Sequence, residues 1–268
     1  MNGKSHRWSI GSSTIKIQIR NDFMNRQKTK TVLITGATGD IGREVALYFA
    51  RKGWNVVCHY CTSRKKAMEL KKLVENIGVR CHLIKADFLS GKQIQNFIRK
   101  INKLQIESVI NNAGTYLVKK HFSKLTVSDI KRIFMVNTFA PILFTSDVFP
   151  RMKRKRFGRI VSISSIAAKY GGSSYSMPYG CSKLALEGMT RTLAKEGAEH
   201  NILVNTIRLG VIDTKFHKKF PKDMKKRVAM IPLKKIGTSK DVVGMIYYLG
   251  SEENTFVTNE IVTVSGGE

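Results

Sequence analysis

Residues Thr31–Gly42 read TVLITGATGDIG. Thr31–Thr35 is a β-branched, apolar run with strand character. A glycine-rich loop follows it at once and opens a helix predicted from about Ile41 to Arg51. That order of strand, loop and helix is the context a dinucleotide-binding fingerprint requires. Glycines let the backbone approach a pyrophosphate. The helix N-terminus adds unbonded N–H groups and the positive end of a dipole. Gly36, Thr38, Gly39, Asp40, Ile41 and Gly42 are therefore candidate cofactor contacts.

The alternation continues outward. Strands are predicted at Asn55–Tyr60, Cys81–Lys85, Glu107–Asn111, Gly158–Ser164, Leu203–Arg208 and Glu260–Val264. Helices are predicted up to Asn76, around Lys92–Ile101, over Asp129–Met152, to Ala198 and through Asp241–Leu249. Repeated βα units with short loops imply an α/β protein. The expectation is a single Rossmann-like doubly wound domain over residues 30–268, a seven-stranded parallel sheet with helices on both faces. Residues 1–29 precede it. Ile15, Ile17 and Ile19 alternate with strand-like rather than helical period, and Met24 opens a natural second start. This extension is expected to be a disordered arm or to lie upstream of the true start.

Composition narrows the class. The chain has 268 residues, ordinary apolar content and little proline, enough for one large α/β core. No unbroken apolar run of about 18 residues points to a membrane span, and the start lacks the apolar region of a secretory signal. Cys58, Cys61, Cys81 and Cys181 fit a reduced, cytoplasmic protein. Cys58 and Cys61 are spaced like a redox or zinc half-motif, but residues three apart on a strand face opposite sides, which favours core packing. No metal-ligand cluster is visible. The net charge of +28 raises nucleic-acid binding as a question, yet Lys is spread over the whole chain and no nucleic-acid motif appears. An acidic or phosphate-bearing substrate carrier, or simple lineage composition, accounts for the charge instead.

Tyr179 and Lys183 lie four residues apart in SMPYGCSKLALEGM, so a helix presents both on one side. An adjacent ammonium is expected to lower the phenol pKa and make it a usable acid–base group. The same spacing occurs at Tyr48–Lys52 and Tyr116–Lys120, where no role is assigned. Position 179 differs in its surroundings: a strand ending in Ser164-Ser165 precedes it and Gly180, Cys181 and Ser182 flank it.

With these residues in hand, the chain resembles the short-chain dehydrogenase/reductase family across roughly residues 30–268. TGATGDIG at 35–42, Ala86-Asp87, NNAG at 111–114, Asn137, ISS at 163–165, YGCSK at 179–183, Gly210 with Thr214 and the closing VTVSGGE carry the likeness. Within the family it is most similar to 3-oxoacyl-[acyl-carrier-protein] reductases. The resemblance implies that Tyr179 exchanges a proton with the substrate oxygen, Lys183 lowers its pKa and binds the nicotinamide ribose, Ser165 (or its neighbour Ser164) positions the carbonyl, and Asn137 holds a water. It further implies cofactor contacts at Asp87, Asn112, Ala113, Gly114, Val211 and Thr214, and a homotetramer built on the 129–152 and Tyr179 helices. At the end of the second strand, NAD enzymes of this fold carry a carboxylate. Here Ser63, Arg64 and Lys65 stand instead, which favours the 2′-phosphate of NADP(H).

Three departures stand out. Asp40 replaces a glycine, Ser165 lies one residue further from Tyr179 than the family spacing, and Leu209 replaces a proline before Gly210. Two basic clusters are candidate docking points for acyl carrier protein. One is Lys215–Arg227, interleaved with Phe216, Phe220, Met224 and Met230. The other is Arg151–Arg156, expected near the mouth of the site. Alternatives are another small carbonyl or alcohol substrate, or a non-catalytic NADPH-binding regulator.

Overall fold

Consecutive apolar residues can be buried on both faces of a strand only when helices cover each side of a parallel sheet. In β1 (Thr31–Ile34), Val32, Leu33 and Ile34 are all fully buried. The computed structural model describes residues 29–116, 120–215 and 223–268. Around β1 stand β2 (Asn55–Tyr60), β3 (Cys81–Lys85), β4 (Ser108–Asn111), β5 (Gly158–Ser165), β6 (Ile202–Leu209) and β7 (Ile261–Val264). The sheet order is β3-β2-β1-β4-β5-β6-β7, and every pairing is parallel. The bounds of β2 and β3 match those read from the sequence.

The period of two along each strand feeds two cores. Val32, Ile34, Val56 and Val161 pack with α1 (Asp40–Arg51), α2 (Arg64–Asn76) and α9 (Ser239–Gly250). Leu33, Val57, Val109 and Ile160 pack with α3 (Gly91–Ile101), α5 (Ala140–Lys155) and α7 (Met177–Gly197). Cys58 is buried with its sulfur 3.8 Å from that of Cys81, while Cys61 is exposed.

The single helix predicted at 129–152 is a composite. A capping box between Thr126 and Asp129 starts α4 (Val127–Phe134). Met135–Phe139 is π-helical, and α5 continues without a break. By length and composition, Val127–Lys155 is long and apolar enough to cross a membrane, and half of that apolar window is buried in the fold. Phe144, Val148 and Met152 spend their apolar surface on the sheet.

From β1 and β4 the chain winds outward in opposite directions. Their carboxyl ends therefore border the crevice where doubly wound sheets bind ligands. Short α6 (Ala167–Tyr170) follows β5 there, and α8 (Met224–Met230) follows β6. Of the basic segment after β6, residues 216–222, including Phe216, Lys218, Lys219, Phe220 and Lys222, lie outside the described residues. So do residues 1–28 of the N-terminal extension.

Candidate active site

The glycine-rich loop is held in a frame of hydrogen bonds. Gly36 has φ +65°, a conformation that favours glycine. A Cβ on Gly42 would lie 2.5 Å from the Gly36 carbonyl oxygen and 2.8 Å from Asn112 Nδ2, so the loop closes only around glycine. Asn112 Nδ2 donates to the carbonyls of Thr35 (2.9 Å) and Gly36 (3.2 Å), while the N–H groups of Asn112 and Ala113 donate to Thr35 Oγ1. The NNAG stretch after β4 thus fastens the loop after β1. Gly39 is the N-cap of α1 and supplies no side-chain cap, leaving first-turn N–H groups for an anion.

His59, at the end of β2, was not singled out by the sequence reading. Its Nδ1 accepts the Gly36 N–H at 3.1 Å and its Nε2 lies 3.0 Å from the Ala86 carbonyl oxygen. It stacks on Phe88 at 4.1 Å. Those partners fix a neutral ring protonated at Nε2, and burial pushes its pKa down to about 4. A polar residue at the end of an otherwise apolar strand was the available signal.

Asp40 Oδ2 accepts the Lys215 N–H at 2.6 Å. Ser63 is the N-cap of α2 and makes no side-chain cap bond, and Arg64 opens that helix. Asp87 Oδ1 accepts the Leu89 N–H at 2.9 Å, giving this residue a turn-capping role. Val211 is buried after β6, and Thr214 Oγ1 donates to the Ile212 carbonyl at 3.3 Å. All these loops sit at the carboxyl edge of the sheet.

Tyr179 and Lys183 share one face of α7. Lys183 is buried, its Nζ donates to the Ile163 carbonyl at 2.7 Å, and it stands 5.9 Å from the Tyr179 ring centre. A Cβ on Gly114 would approach that Nζ to 3.2 Å. Ser165 hydrogen-bonds Tyr179 and accepts the Ala167 N–H. Ser164 points to the other side, where its Oγ donates to buried Glu187 at 2.7 Å. Arg208 clamps the same carboxylate bidentately at 2.8 and 2.6 Å. Of the two serines, Ser165 is therefore the one on the Tyr179 side.

One expectation is corrected. Burial raises the Tyr179 phenol to about 12 despite its hydrogen bond to Ser165, and burial lowers Lys183 to about 8 against the pull of Glu187. The ammonium is turned toward the Ile163 carbonyl, and enclosure, not the neighbouring charge, sets the direction of the phenol shift. Asn137, fully buried in the π-helical segment, commits its amide to protein partners. Nδ2 donates to the Thr115 carbonyl and to Ser182 Oγ, both at 3.0 Å, and Oδ1 accepts the Thr115 N–H at 2.8 Å. Its side chain fastens the turn after β4 to α7.

The Arg151–Arg156 cluster is also displaced from its expected place. It ends α5 and immediately precedes β5, so it borders the amino edge of the sheet. Ser165 lies at the far end of that strand, roughly 23 Å away at the rise of a β-strand. Lys153 pairs with Glu196 and Lys155 with Glu107.

Comparison with known proteins agrees with this geometry. The chain is 30% identical over 241 residues to 3-oxoacyl-[acyl-carrier-protein] reductase FabG of Aquifex aeolicus (strain VF5), covering 89% of this chain and 96% of that one. A blue fluorescent protein from a metagenomic library, solved in complex with NADPH, superposes with a TM-score of 0.81 at 27% identity, covering 89% and 97% of the two chains. Acetoin dehydrogenase from Enterobacter cloacae gives a TM-score of 0.81 at 26% identity, covering 90% and 96%. The short chain dehydrogenase family matches residues 30–225. A glycine-framed loop at the switch point, a Ser165–Tyr179 hydrogen bond and a family match over most of the chain place this protein among the short chain dehydrogenases.

Proposed function

We propose that this enzyme reduces a carbonyl to an alcohol with NADP(H), and that the carbonyl is that of a 3-oxoacyl thioester on acyl carrier protein. The observation that carries the chemistry is the Ser165–Tyr179 hydrogen bond beside the glycine-framed loop. That loop fits a dinucleotide: Gly42 leaves no room for a Cβ and Gly39 leaves the start of α1 uncapped. Ser63, Arg64 and Lys65 would meet a 2′-phosphate. The bound nicotinamide supplies the hydride. With a phenol pKa of about 12, Tyr179 is protonated at neutral pH and can donate to an oxygen that is becoming an alkoxide. Ser165 holds that oxygen in place. Lys183, charged below about pH 8, supplies positive potential behind the phenol.

The substrate reading rests on the FabG relatives and on cations at the correct edge of the sheet. Lys225 and Lys226 are exposed on α8, whereas Arg227 is tied to Glu268 at 2.5 Å. A cytoplasmic homotetramer is the assembly we propose. Phe139, Ile142, Leu143 and Leu184 leave the outer faces of α5, α7 and the π-helical segment exposed and apolar. The test follows NADPH absorbance with an acetoacetyl thioester, comparing wild type with Tyr179→Phe and NADPH with NADH. Turnover that vanishes in Tyr179→Phe upholds the reading. Absent turnover despite NADPH binding shifts it to another carbonyl or to a regulator.

A further inference from the structure

Tyr116 follows the turn after β4, and its ring meets that of Tyr179 edge to face, with centres 5.5 Å apart. Its hydroxyl donates to the Tyr175 carbonyl. Tyr175 belongs to the stretch between α6 and α7, where the extra residue separating Ser165 from Tyr179 falls. That stretch is braced in turn. The Phe122 N–H donates to the Ser174 carbonyl at 2.9 Å. The His121 ring packs 4.4 Å from Phe122 and 5.6 Å from Tyr175. Two loops from different strands are thereby joined through aromatic rings beside the Tyr179 ring. Tyr116 can leave its place only by giving up a hydrogen bond and a ring contact together.

We infer that Tyr116 is a specificity-determining residue, a fixed aromatic wall for the group attached to the carbonyl that is reduced. Carbonyls bearing a flat aryl or conjugated substituent are then favoured over those bearing a straight saturated chain. The inference rests on the carbonyl-reductase reading and deepens it. Ring-on-ring contact adds to simple area burial by an amount equivalent to roughly 2- to 10-fold in affinity. A saturated chain gains only area and loses more rotor freedom on ordering.

Calorimetry in a Tyr179→Phe background, which keeps the ring but blocks turnover, compares a benzoylacetyl with a 3-oxohexanoyl thioester of N-acetylcysteamine. The phenyl ligand should bind roughly 2- to 10-fold tighter. Adding Tyr116→Ala should erase that preference, and Tyr116→Phe should keep it, with melting temperatures reporting that each variant is folded. Equal affinities in the parent, no binding of the phenyl ligand, or an unchanged preference in Tyr116→Ala overturns the inference. Turnover of the same pair by the wild type is a separate arm. Its absence with the binding preference intact counts against the reductase reading alone.

Discussion

The two edges of one sheet carry opposite kinds of polar group. Helices that return antiparallel to parallel strands bring their C-terminal carbonyls to the amino edge and their N-terminal N–H groups to the carboxyl edge. Cations answer the carbonyls. Buried Arg159 donates to the carbonyls of Ser251, Asn254, Gly158 and Asn201 at 2.8–3.2 Å. Arg151 donates to those of Ile101 and Leu104, and Arg156 to that of Glu199. At the carboxyl edge three buried groups are pushed toward neutrality. His59, Tyr179 and Lys183 all shift toward their uncharged forms by burial. Part of the chain's large positive charge thus closes helix ends, far from the chemistry.

The comparison can be broken at either edge. The largest effect expected is at the carboxyl edge. Tyr179→Phe should cut carbonyl reduction by about 10²- to 10⁴-fold while leaving the thermal midpoint unchanged, read by steady-state kinetics and calorimetry on one sample. At the amino edge the pattern should invert. Arg159→Met strands several buried carbonyls and should cost about 3–5 kcal/mol of unfolding free energy, with near-normal kcat in the folded fraction.

Next comes His59. Its ring takes a proton at about 4 when folded against 6.5 when unfolded, so between those values the unfolded chain binds more protons. The stability is complete above about pH 6.5 and is lost as pH falls toward 4. Between pH 7 and 5 the wild type should lose about 2 kcal/mol more than His59→Gln, measured by urea titration at both pH values. The smallest effect sharpens the contrast. Arg154→Glu should leave KM for a carrier-bound substrate within about twofold, because rim charges act on association only near the docking surface. Lys225→Glu with Lys226→Glu should raise it.

The frame of this molecule was legible because it is written locally. TVLITGATGDIG encodes strand, loop and helix in twelve consecutive residues, and the strands β2 and β3 are apolar runs bounded by turns. Strand alternation also foretold that only one of Ser164 and Ser165 reaches Tyr179. The basic cluster was misplaced, although the rule that residues preceding a strand lie at its amino edge would have put Arg151–Arg156 away from the site. What escaped reading depends on partners distant in sequence. Glu187 is recognisable as an anchor only once Arg208 and Ser164 meet it. The direction of the Tyr179 shift depends on enclosure, and i,i+4 spacing says nothing about where an ammonium points. The committed amide of Asn137 needed a helix bulge that no propensity announces.

That bulge at Met135–Phe139 has a consequence for how the chain can change length. Its wider winding takes up one residue more than α-helical winding over the same span. Losing one residue there is absorbed by a return to α-helical winding, with α5 kept in phase. Losing one between the bulge and Phe144 would instead turn the rest of α5 by about 100° and draw it back by about 1.5 Å, and Phe144, Val148 and Met152 would swing off the sheet. Descendants of this sequence are free to grow or shrink at their surface loops, and within the 127–155 helix the bulge is where a change of length is absorbed.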